Sequence, residues 1–213
     1  MSKPRVNVEV KTPGLVSVRP RDNGPTMRVA YLLSGRHRKA SIAEELKLLC
    51  ERSGFGLHFE EVDIMVGGGE HDLLDSETSA KIEARIIEGD FDLIMLSLPC
   101  ATWSRANYAG GSGPKPCRSK DYPWGFPNSL RPMRERAEKG NDFIHFTIRA
   151  IEAAIASRES SGRIARVILE HPEALGTAFQ EGVNVGILAS IWQLPKIRVI
   201  LERCQDFAIV AKH

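Results

Sequence analysis

The most chemically pointed feature of this sequence is a cysteine that follows a proline at the end of an apolar run. Cys100 stands in FDLIMLSLPCATWSRAN, residues 91–107, directly after Pro99. A thiolate is a strong nucleophile where it is exposed and its pKa is lowered. Glu170 ends a second apolar run, ARVILEH, beside His171 and Pro172. A carboxyl group kept protonated near neutral pH can donate a hydrogen bond to a ring nitrogen of a base. Each residue also has a bland reading. Free cysteine is among the most buried residue types, and a strand-end glutamate serves equally well in a cap or an ion pair. A further arrangement takes Cys100 as nucleophile and His171 as its base. Other candidate positions are Ser34, Gly35, Asp63 and Asp72. A glycine after a first strand lets a ligand approach the backbone closely. An acid at the end of a second strand stands where nucleotide-binding folds grip ribose hydroxyls. Asp72 would contact an adenine or cap a helix. The sequence has no GxGxxG dinucleotide fingerprint.

The elements that must position these residues alternate in type. MRVAYLL (27–33) is an apolar run of strand length, broken by Ser34, Gly35 and Arg36. SIAEELKLLCERSG begins with Ser41 and has Glu44 three residues on, a capping-box signature, and Gly54 ends that helix. LHFEEVDI alternates as a second strand ending at Asp63, and MVGGGEHD reads as a loop. SETSAKIEARIIEG is a helix with Ile82 and Ile86 on one face, and FDLIMLSL is a buried strand. NDFIHFTIRAIEAAIASRE is a strong helix with Asn141 as its cap, and ARVILEH is a further strand stopped by Pro172. A helix is expected at about 178–192, then RVILERCQDFAIVAKH with strand-like ends. Strands alternating with helices predict an α/β fold with a mostly parallel sheet and right-handed crossovers. Ligands of such sheets bind beyond the carboxyl ends of the strands, so Gly35, Asp63, Cys100 and Glu170 should meet in one cleft.

The bulk properties suit that reading. The 213 residues are 42% hydrophobic and 26% charged, ordinary for one α/β domain. Residues 1–26 are rich in Pro, Lys, Arg and Gly and read as a loosely held leader with room for one edge strand; residues 27–213 read as the domain. Four cysteines without CxxC spacing argue against a zinc site and against a secreted disulfide framework. A reduced, cytoplasmic setting fits, or a nuclear one in a eukaryote. No apolar run approaches the length of a membrane span.

One stretch departs from the alternation. Residues 104–140 show no periodicity and carry eight Lys or Arg against three acids, +5 in a chain whose net charge is +2. Tyr108, Tyr122, Trp124 and Phe126 are interleaved with them. Basic groups neutralise phosphates and aromatic rings stack on unpaired bases. Ser104, Arg105, Lys115, Arg118, Lys120 and Arg131 are therefore the candidate nucleic-acid contacts; a solvated surface loop is the competing reading. Trp103 and Trp192 are expected to pack in the core, and His145 to sit on a helix surface.

With the motifs in this order, the chain resembles the catalytic domain of DNA cytosine-5 methyltransferases, a class I S-adenosylmethionine-dependent family. LPCATWS (98–104) looks like that family's Pro-Cys loop, and LEHP (169–172) looks like its Glu-Asn element with His171 in place of the asparagine. LLSGRHR (32–38) stands where the first glycine loop would be, and the run LPCATWSRA…GPKPCRS…GN is similar to a divergent branch. The resemblance covers roughly residues 28–210. It implies a three-layer Rossmann-like fold. It implies that Cys100 adds to C6 of cytosine while Glu170 hydrogen-bonds the N3 side of the ring. Pro99 would shape the loop against cofactor and base, and Ser34, Gly35, Asp63 and Asp72 would line the S-adenosylmethionine site. The partner it implies is DNA, single-stranded or with its target base flipped out. A separate subunit or a further segment would supply target recognition. The reading kept beside it is a catalytically degenerate member that binds nucleic acid or a partner protein.

Overall fold

The computed structural model describes residues 15–18, 24–36, 41–108, 113–173, 176–180 and 183–212. In chain order the elements are β1 (Leu15–Val18), β2 (Thr26–Leu32), α1 (Ile42–Ser53), β3 (Gly56–Val62) and the short α2 (Ile64–Gly67). Then come α3 (Ser76–Ile87), β4 (Leu93–Ser97), α4 (Arg131–Ser161) and β5 (Arg166–His171). The chain continues through β6 (Thr177–Gln180), β7 (Val183–Ile187), α5 (Pro195–Arg203) and β8 (Ala208–Lys212). One sheet has the order β1-β3-β2-β4-β5-β8. All its pairings are parallel except that of β1 with β3. The expected α/β, Rossmann-like architecture with a mostly parallel sheet is therefore present. The leader supplies the antiparallel edge strand at Leu15–Val18, while the alternating stretch at 6–10 lies outside the described residues.

Local chemistry starts and stops α1 as the sequence foretold. Ser41 accepts from the Glu44 amide and Glu44 accepts from the Ser41 amide, a complete capping box, and Gly54 closes α1 at φ 78°. Asp75 caps α3 by accepting from the amides of Glu77 and Thr78.

Because side chains alternate across a strand, the two faces of the sheet divide cleanly. Ala30, Leu32, Ile94, Leu96, Val167 and Leu169 bury one face with residues of α3, α4 and α5, including Ile86, Ile144, Ile151 and Ile197. Val29, Leu57, Phe59 and Leu93 bury the other with Ala43 and Cys50 of α1. Among the described residues α1 is the helix on that second face, and it lies over β2 and β3. The strip of sheet above β4, β5 and β8 is less covered: Met95 and Ile168 are only half-buried, and Ile209 is 60% exposed.

Four expectations about elements are corrected. The stretch after Asp63 is not a loop: α2 and a 3₁₀ turn (Gly68–His71) occupy it. The region 178–192 is not a helix. It holds β6, β7 and a 3₁₀ turn at Ile191–Gln193. RVILER, expected as strand, is the body of α5, started by Pro195 in its first turn. Most consequentially, α4 begins at Arg131, ten residues earlier than expected, with Pro132 in its first turn. Asn141 is therefore inside the helix and is not its cap.

Candidate functional site

The carboxyl ends of the strands open onto a cleft of about 1030 Å³. Ser34, Gly35, Asp63, Asp72, Pro99, Cys100 and Glu170 all line it. The seven residues expected at the catalytic and cofactor positions are thus brought together, although they span more than half of the chain. The floor is the less covered strip of sheet, where Met95, Ser97 and Ile168 point the same way as Glu170. Ser97 and Glu170 are paired neighbours on β4 and β5, so the loop carrying Cys100 leaves the sheet beside the strand that carries Glu170.

Backbone wiring shapes the end of the cleft near β2 and β3. Leu33 takes a left-handed φ of 59°, a conformation that costs a branched residue about 1 kcal/mol or more. Its amide donates to the Val62 carbonyl at 3.0 Å. Gly35 follows at φ 74°, with nothing within 4 Å of where a Cβ would stand. Asp63, 6% exposed, holds this turn: one carboxylate oxygen accepts from the Gly35 amide at 3.0 Å and the other from the Met65 amide at 2.7 Å. A carboxylate has about four acceptor positions, so Asp63 braces the turn and keeps capacity toward the cleft. Asp72 accepts from the Leu74 amide. Glu61 and Tyr31 also line this end, with the Tyr31 hydroxyl 3.1 Å from Ser97 Oγ. Sequence reasoning missed both. Counting back two positions from Asp63 finds Glu61, because residues i and i−2 of a strand share a face.

Side chains wire the other end. The turn after Cys100 closes through the Trp103 amide on the Cys100 carbonyl, and Asn107 Nδ2 donates to the carbonyls of Ala101 and Ser104. Trp103 is buried, as expected, and the Arg118 guanidinium lies 3.9 Å from its ring centroid. Arg118 donates to the carbonyls of Pro123 and Ala137 and to Asn141 Oδ1, at 2.7–3.0 Å. It is 1% exposed, and burial pushes its pKa below the usual arginine range. This corrects the expectation that Arg118 contacts nucleic acid: its donors are turned into the protein, where they tie the insert, the Pro-Cys turn and α4 together. The described residues of the insert are correspondingly packed onto the rest of the protein. Trp124 stacks on exposed His145 with ring centroids 5.5 Å apart, and the Lys120 amide donates to the Ile187 carbonyl.

The remaining nucleic-acid candidates stand apart from the cleft wall. Arg105, Lys115, Lys120 and Arg131 are exposed, Arg131 is ion-paired with Glu135, and the Ser104 hydroxyl accepts from the Ala106 amide. The cations that do line the cleft are Arg36, Arg136 and Lys139. The arrangement of Cys100 with His171 as base is also corrected. His171 projects to the opposite face from Glu170, is 1% exposed, and sits edge-on between Trp103 and Trp192. Among the four cysteines, Cys50, Cys117 and Cys204 are buried, and Cys100 is the half-buried thiol. No group of three or more His, Cys, Asp or Glu among the described residues could hold a metal ion, and no described helix is long and apolar enough to cross a membrane.

No family model and no curated protein matches the sequence. Among solved structures, the chain is similar to the crystal structure of NADH-dependent reductase A1-R' responsible for alginate metabolism. The identity is 16% and the TM-score 0.38, over 88% of this chain and 76% of that one. The same reductase complexed with NAD gives 17% identity and a TM-score of 0.37, over 88% and 77%. Likeness at this level carries no argument about function. The assignment to a Rossmann-like α/β fold rests on the strand order and pairing described above.

Proposed function

We propose that this chain is a methyltransferase-fold protein that transfers a methyl group to C5 of cytosine in DNA, with S-adenosylmethionine as donor. The observation that carries the reading is the meeting of Cys100 and Glu170 at one cleft, from neighbouring parallel strands, with Gly35 and Asp63 at its other end. The thiol that faces the cleft is the accessible one of the four.

The residues present fit such a donor. Glu61, Asp63 and Asp72 give the β2–β3 end of the cleft acceptors for ribose hydroxyls and for a cationic methyl donor, and Gly35 leaves open space for close approach. The donor supplies an electrophilic methyl group. In this reading Cys100 Sγ forms a bond to C6 of a base held outside its stack, and the electron pair of the C5–C6 bond becomes available at C5. Glu170 hydrogen-bonds the N3 side of the ring and favours that addition. After methyl transfer the C5 proton is lost to solvent, the Sγ–C6 bond breaks, and the thiolate returns. Pro99 and the Trp103 turn hold Cys100 in place, which limits misplacement of the nucleophile.

Isothermal titration with S-adenosylmethionine tests the donor site: saturable binding is expected, and its absence defeats the reading. DNA containing 5-fluorocytosine, offered with the donor, tests the chemistry. A covalent adduct seen by mass spectrometry and abolished by Cys100→Ala is the expected result; an adduct that survives the change rules out this nucleophile. A chain that binds DNA but neither donor nor fluorinated base would be the degenerate binding protein.

A further inference from the structure

The early start of α4 has a chemical consequence. Arg136, Lys139, Gly140 and Phe143 fall at i, i+3, i+4 and i+7, one stripe of a helix. All four line the cleft. Gly140 brings that stripe against the cysteine turn: a Cβ there would stand 2.6 Å from Thr102 Oγ1 and 2.8 Å from an Arg118 nitrogen. Arg136, one turn before Gly140, and Lys139, the residue just before it, therefore lie toward the end of the cleft that holds Cys100.

Neither charge meets an acidic side chain among the described residues. Arg136 hydrogen-bonds two neutral acceptors, the Lys115 carbonyl and Asn107 Oδ1. Lys139 is exposed and has no acidic partner among the described residues. Several other arginines do meet acids, as Arg85 meets Glu60 and Arg149 meets Glu83. Of the acids that line the cleft, Glu61, Asp63 and Asp72 belong to β3 and the segment after it, and Glu170 belongs to β5; none is ion-paired with Arg136 or Lys139 among the described residues.

We propose that Arg136 and Lys139 form an anion site that holds a backbone phosphate of a single-stranded or locally opened polynucleotide beside Cys100. Two such cations on one helical stripe, at the rim of a cleft with an apolar floor, match a phosphodiester flanking a base that enters the cleft. The outward cations Lys120 and Arg131 have no part in it. The inference deepens the proposed function by naming where the substrate strand is gripped, and it rests on that reading for the identity of the strand.

The test is fluorescence anisotropy with a labelled single-stranded oligodeoxynucleotide of about 12 nucleotides, within the span of single-strand grooves, titrated over a salt series. It needs neither methyl donor nor a reactive Cys100. Lys139→Glu, a reversal on an exposed residue, is expected to weaken binding about tenfold. Arg136→Gln with Lys139→Gln should lower the salt slope by about 1.4, two contacts at about 0.7 each. Lys120→Gln with Arg131→Gln should leave slope and affinity as in the parent chain. Unchanged binding in the Lys139→Glu protein, or losses confined to the Lys120 and Arg131 pair, would overturn the proposal. Displacement of the oligonucleotide by dCMP at equal phosphate concentration would also overturn it, because a mononucleotide would then be the ligand. Donor binding with variant-insensitive DNA binding sinks this inference and spares the methyltransferase reading. The reverse pattern, no donor binding but Lys139-sensitive DNA binding, does the opposite.

Discussion

The two ends of the cleft are built by different means. At the β2–β3 end, two amides and one carboxylate do the positioning: the Leu33 amide donates to the Val62 carbonyl, and the Gly35 amide donates to the Asp63 carboxylate. At the Cys100 end, one buried guanidinium, one tryptophan and one helix glycine hold a turn that has few backbone bonds of its own. The first design depends on φ and on a single carboxylate. The second should be sensitive to single side-chain replacements, some of them far along the chain from the cysteine.

Replacing the guanidinium tests this contrast most severely. Arg118→Met leaves the Pro123 and Ala137 carbonyls and Asn141 Oδ1 without their donor, and should cost about 3 kcal/mol in urea denaturation. Arg118→Lys should recover less than half, because an ammonium cannot reproduce the planar stack on Trp103 or span three acceptors. If Arg118→Met were neutral, the cysteine end would not depend on its side chains as described. Gly140→Ala comes next. Its new methyl group meets Thr102 Oγ1 and Arg118, and overpacking of this kind costs about 1–3 kcal/mol. The same variant should change the rate at which iodoacetamide alkylates Cys100, followed by mass spectrometry; an unchanged rate would separate α4 from the turn.

The β2–β3 end should respond more gently. Asp63→Asn keeps one acceptor of two, so a loss of about 1–2 kcal/mol is expected by the same denaturation. Gly35→Ala meets no atoms, and its cost of about 1 kcal/mol comes from the left-handed φ alone. A Gly35→Ala loss larger than that of Gly140→Ala would reverse the comparison.

The smallest effect concerns thiols outside the cleft. Burial raises the pKa of Cys50 and of Cys204 above the ordinary thiol value. A raised folded-state pKa contributes stability below the unfolded value, about 8.5, and loses it as pH rises through the folded value. Thermal melts from pH 7.5 to 10 should therefore fall slightly more steeply for the parent chain than for Cys50→Ala with Cys204→Ala. Parallel curves would refute the assignment.

Much of the site is legible in the sequence. The β–α alternation placed Gly35, Asp63, Cys100 and Glu170 at strand ends, and parallel strands leave their carboxyl ends on one edge. The errors share a cause. The aperiodic, Gly- and Pro-rich stretch 104–140 reads as a loop that ends at Gly140, because glycine disfavours helix interiors. Gly140 sits within α4, where a Cβ would crowd Thr102 and Arg118. Arg118 reads as a nucleic-acid contact because it belongs to a basic insert with interleaved aromatics, while its acceptors at Ala137 and Asn141 lie about twenty residues away in sequence. The 178–192 region is rich in small and apolar residues, and its pairing of β6 with β7 outweighed any helical tendency.

By itself the sequence determined what local rules reach: the capped helices, the alternating strands, and a thiol and a carboxylate at strand ends. Tertiary structure alone decided which basic residues face inward, and that α4 starts early enough to bring Arg136 and Lys139 to the cleft. It also decided that Cys100 is the half-buried thiol of the four. Those outcomes depend on contacts between segments distant in the chain, and periodicity and propensity carry no information about them.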